Sequence, residues 1–251
     1  MEAKAPLRIA ILEAGYPPER AAAKYGNYGS IFASFLEASV AKIATPEFPG
    51  LEVTKWDVQK LEQYPSLDDI DAVLISGSAS SSFDNTPWII ELVEFTRMIL
   101  IEQTRVRIIG ICFGHQIVAR ALGAKVDRNA QGWEASVVPM QLSPLGKRLF
   151  NGRDTLNLYQ MHRDIVTELP EGVQLLGSTP VCEIHGMYAP KRLITVQGHP
   201  EFNSDIVSEI LGLRKSLGII SQDMFEEMMS RVNNKHDGLE AGVAVLEFLN
   251  E

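Results

Sequence analysis

The stretch from Arg105 to Gly123, RVRIIGICFGHQIVARALG, constrains this chain more than any other. It opens as an apolar run of strand length. It continues with helical spacing and stops at Gly123, the residue type that most readily closes a helix. Strand must become helix within three residues, Ile111, Cys112 and Phe113. Gly110 and Gly114 flank the junction because a strand and helix this close leave no room for side chains. A strand that feeds directly into a helix belongs to a sheet covered by helices.

The rest of the chain agrees. LRIAILE (7–13) reads as a buried strand, GYPPERAAAKYGNYG as a loop and SIFASFLEASVAKI (30–43) as a helix. LEVTKWDV (51–58) alternates like a strand, and AVLIS (72–76) is a short apolar run ending in the loop GSASSSFDN. Pro87 stands in the first turn of the next helix, PWIIELVEFTRMILIEQ. This alternation predicts an α/β fold with a largely parallel sheet and helices on both faces. Residues 124–196 read mainly as strands joined by short turns, so antiparallel additions to the sheet are expected. Ile206, Ile210, Leu213 and Leu217 are placed on one helix face, and Leu239, Val243, Leu246 and Leu249 on another. A single domain over 1–251 is expected, with its core at about 7–218 and C-terminal helices over 219–251.

Composition narrows the function classes. A chain of 251 residues, 45% apolar and 22% charged, buries a core without disulfides or metals and is not a disordered or collagen-like sequence. The formal charge is 23 − 32 = −9, with no basic cluster, which argues against nucleic-acid phosphates and anionic lipid as partners. No run approaches the ~18 apolar residues of a membrane span. The start, MEAKAPLRIAILEAG, does not read as a secretory signal. Cys112 and Cys182 form no disulfide framework, and no CxxC or Cys/His zinc pattern exists, so a cytoplasmic location is expected.

Gly-x-Cys-x-Gly at a strand–helix junction is a nucleophile elbow. Cys112 at a helix N-terminus feels the positive end of the dipole, which favours its thiolate. The Phe113 N–H points at any oxyanion formed on attack. Cys182 lies in a strand pattern and is expected to be buried and inert. A cysteine nucleophile needs a histidine. His199, in Gln197-Gly198-His199-Pro200-Glu201, follows the apolar strand RLITVQ, and extended backbone puts His199 and Glu201 on one side. The carboxylate would then orient the ring and stabilise its charged form. His162 is the second choice for the cleft. His115 is expected to brace the elbow, His185 to be a strand side chain and His236 a solvated helix residue. Ile75-Ser76-Gly77-Ser78 ends the preceding strand, where Gly77 can offer a second oxyanion N–H. Asp84 and the tyrosine-containing loop 14–28 are placed at the pocket mouth.

Together, GICFGHQ, QGHPEF and the SGS loop resemble the class I glutamine amidotransferase family, in its order and over about residues 7–218. The resemblance implies a three-layer α/β/α sandwich of flavodoxin-like type, with a mixed, mainly parallel central sheet. It implies Cys112 as nucleophile, His199 as general base and acid, and Glu201 as its partner. Gly77 and Phe113 would hold the oxyanion, and Gln116 the α-amino-acid end. Ser78, where many members have a second glycine, and His162 complete the expected substrate-binding set. The implied chemistry is cleavage of a γ-glutamyl amide through a thioester, with no metal or organic cofactor. No synthetase module or phosphate loop is visible in the chain. The expected substrate is therefore glutamine, or a γ-glutamyl peptide such as a glutathione conjugate; GSASSSFDNTPWI is similar to the loop of stand-alone γ-glutamyl peptidases. The sequence leaves open an amidotransferase subunit active only with a separate synthase chain, a non-catalytic regulatory homologue, and a peptidase of ordinary peptide bonds.

Overall fold

The structure, a computed structural model, describes residues 5–43, 48–60 and 64–251; the first four residues of the stretch tested for a secretory signal lie outside them. The chain runs β1 (Leu7–Glu13), α1 (Glu19–Tyr25), α2 (Tyr28–Ile43), β2 (Leu51–Asp57), β3 (Ala72–Ile75), α3 (Pro87–Ile101) and β4 (Arg107–Ile111). It continues through α4 (Phe113–Ala121), β5 (Val126–Arg128), β6 (Glu134–Leu142), α5 (Pro144–Leu149), β7 (Thr155–His162) and β8 (Asp164–Val166). It closes with β9 (Gln174–Thr179), β10 (Cys182–Ala189), β11 (Leu193–Val196), α6 (Ser204–Ser216), α7 (Gln222–Ser230) and α8 (Gly238–Asn250).

Nine strands form one sheet, ordered β2-β1-β3-β4-β11-β10-β9-β6-β7. β2, β1, β3, β4 and β11 pair in parallel. β10, β9, β6 and β7 add antiparallel strands to one edge, as the strand-rich middle of the sequence predicts. β5 and β8 form a separate antiparallel pair.

Helices cover both faces, and the strand side chains divide between two cores. Ile9 and Ile11 of β1 join Phe32 and Leu36 of α2 and Leu246 and Phe248 of α8. Ala10 and Leu12 point the other way, to Ile89 and Leu92 of α3 and Ile117 of α4. This double burial is why the parallel strands read as unbroken apolar runs. Each buried Leu, Ile or Phe contributes roughly 1.5–3 kcal/mol by leaving water.

The structure corrects three local expectations. The stretch 15–29 is not all loop, because it contains α1. No side chain of its own caps α1; the Glu209 carboxylate accepts from the N–H groups of Arg20 and Ala21 at 2.9 and 2.8 Å. That partner is far away in sequence, so no local signal announces the helix. Only the first half of the apolar stripe of α6 meets the core: Ile206 is buried and Ile210 packs against the core beside Val207 and Leu211, whereas Leu213 and Leu217 are exposed. On α8, Val243, Leu246 and Leu249 are buried but Leu239 is exposed. Among the described residues no helix is long and apolar enough to cross a membrane.

Candidate active site

The site lies at the carboxyl ends of β3, β4 and β11, where open α/β sheets bind ligands. Cys112 connects β4 to α4 with φ 52° and ψ −102°. A positive φ on a non-glycine residue costs on the order of 1–3 kcal/mol and persists only when its surroundings impose it. Here the Cys112 N–H is held by the Val196 carbonyl of β11 at 2.9 Å, while the Cys112 carbonyl accepts from Gln116 N–H at 3.2 Å. The flanking glycines are needed for space. A Cβ on Gly114 would stand 2.3 Å from the Ile75 carbonyl oxygen, and one on Gly110 would stand 2.8 Å from the Gly114 carbonyl oxygen.

His199 follows the end of β11. Its N–H donates to the Tyr159 carbonyl at 2.7 Å, an isolated antiparallel bridge to β7. Its Nδ1 lies 2.8 Å from Glu201 Oε1, and both side chains are almost fully buried. With Nδ1–H given to the carboxylate, Nε2 is the nitrogen left over, and Cys112 lines the same cavity. The ring stacks on Phe202, with centroids 3.9 Å apart and planes within 3°. From below, His236 Nε2 donates to the His199 carbonyl at 3.3 Å, and the His236 ring packs on Tyr159. Burial opposes the charged imidazole. The negative charges of Glu201 and Cys112 outweigh it and push His199 up to about 10.

The loop after β3 closes the third side. A Cβ on Gly77 would come within 2.8 Å of His199 Cε1, so only glycine lets the loop lie against the ring. Ser76 Oγ, accepting from Ala14 N–H and donating to the Gly77 carbonyl at 2.9 Å each, ties the loop to the end of β1.

A cavity of about 510 Å³ contains Cys112, Phe113, Ser78, Gln116, His162 and His199 among its lining residues. A wider recess of about 800 Å³ reaches Glu201 and Phe202 from another side and does not include Cys112, so the smaller cavity is the one that joins Cys112 to His199. Tyr16, Pro18 and Tyr28 line the smaller cavity, as the tyrosine-containing loop suggested. Asp84 does not line it; its carbonyl is held by Arg120 at 2.8 Å. Gln116 is buried with its polar atoms already engaged. Its Oε1 accepts from Ser82 Oγ at 3.0 Å, and its Nε2 donates to the Asp164 carbonyl at 2.8 Å and Gln197 Oε1 at 3.1 Å.

The remaining histidines take distinct places. His115 braces the elbow through Thr195 Oγ1 at 2.8 Å and the Ile184 carbonyl at 3.1 Å. Burial pushes its pKa down to about 3, so it is neutral. His162 and His185 share Glu134 Oε2, at 2.9 and 2.8 Å. Burial works to raise the Glu134 carboxyl, but the two imidazole hydrogen bonds prevail and hold it well below the usual carboxylate range. The sequence offered no metal pattern, yet these three donors lie within 4.8 Å of one another. Their spacing is that of hydrogen bonds, which account for the arrangement. His236 is not on a helix, but half-buried in the loop before α8. Cys182 is buried, and burial raises its thiol far above the usual range.

Sequence reasoning did not single out Phe202, Tyr159 or Glu134, and it placed His236 away from the site. Only Phe202 carried a usable local signal, its place one residue after the His-Pro-Glu motif; the others reach the site through pairings distant in sequence.

Comparison with known proteins places this chain in a family. The family model described as Glutamine amidotransferase class-I matches residues 32–209. A glutamine amidotransferase-like protein of Schizosaccharomyces pombe is 35% identical over 247 residues, covering 97% of this chain and 98% of its own. Gamma-glutamyl peptidase 3 of Arabidopsis thaliana is 28% identical over 234 residues, covering 89% and 88%. The crystal structure of a glutamine amidotransferase from Thermotoga maritima shares the fold, with a TM-score of 0.73 at 17% identity over 98% of this chain and 99% of that one. The mixed, mainly parallel sheet between helical layers is thus the fold of these neighbours, and by sequence match over most of its length this chain belongs to the class-I glutamine amidotransferase family.

Proposed function

We propose that this protein is a single-domain hydrolase of γ-glutamyl amide bonds, acting through a thioester on Cys112. The observation that carries the reading is the buried Glu201–His199 pair at 2.8 Å, in the same cavity as a cysteine held on a strained elbow. Below about pH 10 His199 holds its proton beside the Cys112 sulfur. The thiolate attacks the γ-carbonyl carbon, and the N–H groups of Phe113 and Gly77 receive the oxyanion. The C–N bond breaks as the imidazolium passes its proton to the leaving nitrogen. The products of this half are a γ-glutamyl thioester and ammonia or an amine. Water then gives a proton to His199 and attacks the thioester carbonyl. The C–S bond breaks, glutamate leaves, and the thiolate–imidazolium pair is restored. The residues present need no metal or organic cofactor for these steps.

Glutamine and γ-glutamyl peptides both satisfy this chemistry. The likeness to γ-glutamyl peptidases over most of the chain favours the peptides. The test is incubation of the purified protein with glutamine, glutathione and a glutathione conjugate. Ammonia, glutamate and released dipeptide are measured, with Cys112→Ala as control. Dipeptide release lost in the variant is the expected result. Ammonia from glutamine only, or only after a synthase chain is added, would make the protein an amidotransferase subunit with a partner. Turnover that survives in Cys112→Ala would exclude the mechanism.

A further inference from the structure

The outer wall of the Cys112 cavity is the last turn of α6 and the segment that follows. Leu213, Arg214, Leu217 and Ile219 all line it. Leu213, Leu217 and Ile219 are 46%, 71% and 48% exposed. Among the described residues eight large apolar side chains are exposed, and four of them, these three and Tyr16, border this one opening. Exposed apolar side chains gathered at the mouth of a cavity, rather than scattered, mark a surface that meets an apolar ligand. The helical periodicity of Ile206, Ile210, Leu213 and Leu217 is thereby explained: its C-terminal half faces the cavity instead of the core.

Arg214 sits within this wall. Its guanidinium lies over the Trp133 ring, 3.8 Å from the centroid, and its Nη1 is buried with no hydrogen-bond partner among the described residues. Asp164, on the same cavity, is already paired with Arg128 at 3.1 Å. A largely buried guanidinium with a free donor is costly unless an anion meets it, and its fork matches a carboxylate.

We propose that this wall selects, among γ-glutamyl amides, those whose leaving group carries a large apolar substituent, with the leucine–isoleucine rim covering that substituent and Arg214 pairing with a carboxylate of the substrate. The proposal rests on the γ-glutamyl hydrolase reading of the site. The leaving group of glutamine is ammonia, which carries no substituent, whereas that of an S-aryl or S-alkyl γ-glutamyl peptide carries a large apolar one.

The experiment compares kcat/KM for glutathione, S-benzylglutathione and γ-glutamyl-p-nitroanilide in the wild type, in the double variant Leu213→Ser with Leu217→Ser, and in Arg214→Gln and Arg214→Lys. Binding of the first two compounds to Cys112→Ala, with and without the wall substitutions, is measured by calorimetry. The wild type is expected to prefer S-benzylglutathione over glutathione by about tenfold or more, and the serine pair to bring the ratio towards one. Arg214→Gln is expected to raise KM about tenfold or more with a smaller effect on kcat, and Arg214→Lys to recover part of the loss. If the anilide, which has no leaving-group carboxylate, suffers equally, Arg214 holds the α-carboxylate; if only the peptides suffer, it holds the leaving group's. Hydrolysis with no preference between glutathione and its benzyl conjugate, unmoved by the serine pair, would overturn the proposal and leave the hydrolase reading intact. If no γ-glutamyl compound is turned over, the hydrolase reading fails, and calorimetry decides the wall alone. Tighter binding of the benzyl conjugate, lost in the serine pair, supports it, and equal binding overturns it.

Discussion

Three neighbours act on the ring of His199, the proposed acid and base. Glu201 orients Nδ1, Phe202 fixes the plane, and the backbone bridge to Tyr159 sets the position. Its raised pKa has a definite sign. The proton needed by the leaving nitrogen is present below about pH 10 and lost above it, so kcat/KM should hold to that pH and then fall. The same shift stabilises the fold fully below the ordinary histidine pKa of ~6.5, and that contribution disappears as pH rises through about 10. Glu201→Gln removes a negative charge that supports the imidazolium. It should move the alkaline limb to lower pH and reduce kcat by roughly 10²–10⁴. A pH–rate profile from 6 to 10.5 checks this, and a limb that stays in place would remove Glu201 from the role.

At the scale of elements, the elbow exists because β3, β4 and α4 touch through backbone. Gly114→Ala pushes a methyl against the Ile75 carbonyl, where neither partner is a flexible side chain. The expected cost is about 1–3 kcal/mol, with slower alkylation of Cys112 as the turn is displaced. Gly212, inside α6, provides the opposite sign. A Cβ there meets nothing among the described residues within 4 Å, so Gly212→Ala should stabilise by roughly 0.5–1 kcal/mol through helix propensity. Urea midpoints of the two variants read both effects. Equal shifts would mean that backbone contact does not set the elbow.

At the scale of the whole molecule, the buried polar groups are sensitive to acid. His115 is fully buried and neutral, held at about 3, and His236 at about 4, in both cases by burial first. The unfolded chain binds these protons near ~6.5, so their contribution to stability is present above that pH and is lost as pH falls towards the folded values. His115→Gln keeps a polar side chain in the elbow brace but cannot be protonated. Its unfolding free energy should depend less steeply on pH between 6.5 and 4 than that of the wild type, although its stability at pH 7 is lower. Chemical denaturation at several pH values in that range tests it; parallel slopes would exclude His115 as a source.

The α/β class, the elbow and the His-Pro-Glu segment are legible in the sequence because each is local. Strands buried on both faces must be continuous apolar runs. A strand–helix turn without space needs glycines at 110 and 114. His199 and Glu201 stand two residues apart in one motif, although the structure bends Pro200 and Glu201 into a turn where extended backbone was expected. Tertiary structure decided the rest, because the partners are distant along the chain. Glu209 caps α1 across the fold, Tyr159 and His236 hold His199 from other elements, and Glu134 gathers two histidines from separate strands. The α6 stripe shows the limit most directly. Helical periodicity tells that one face is apolar, but only the packed chain determines whether that face meets the core or the mouth of a cavity.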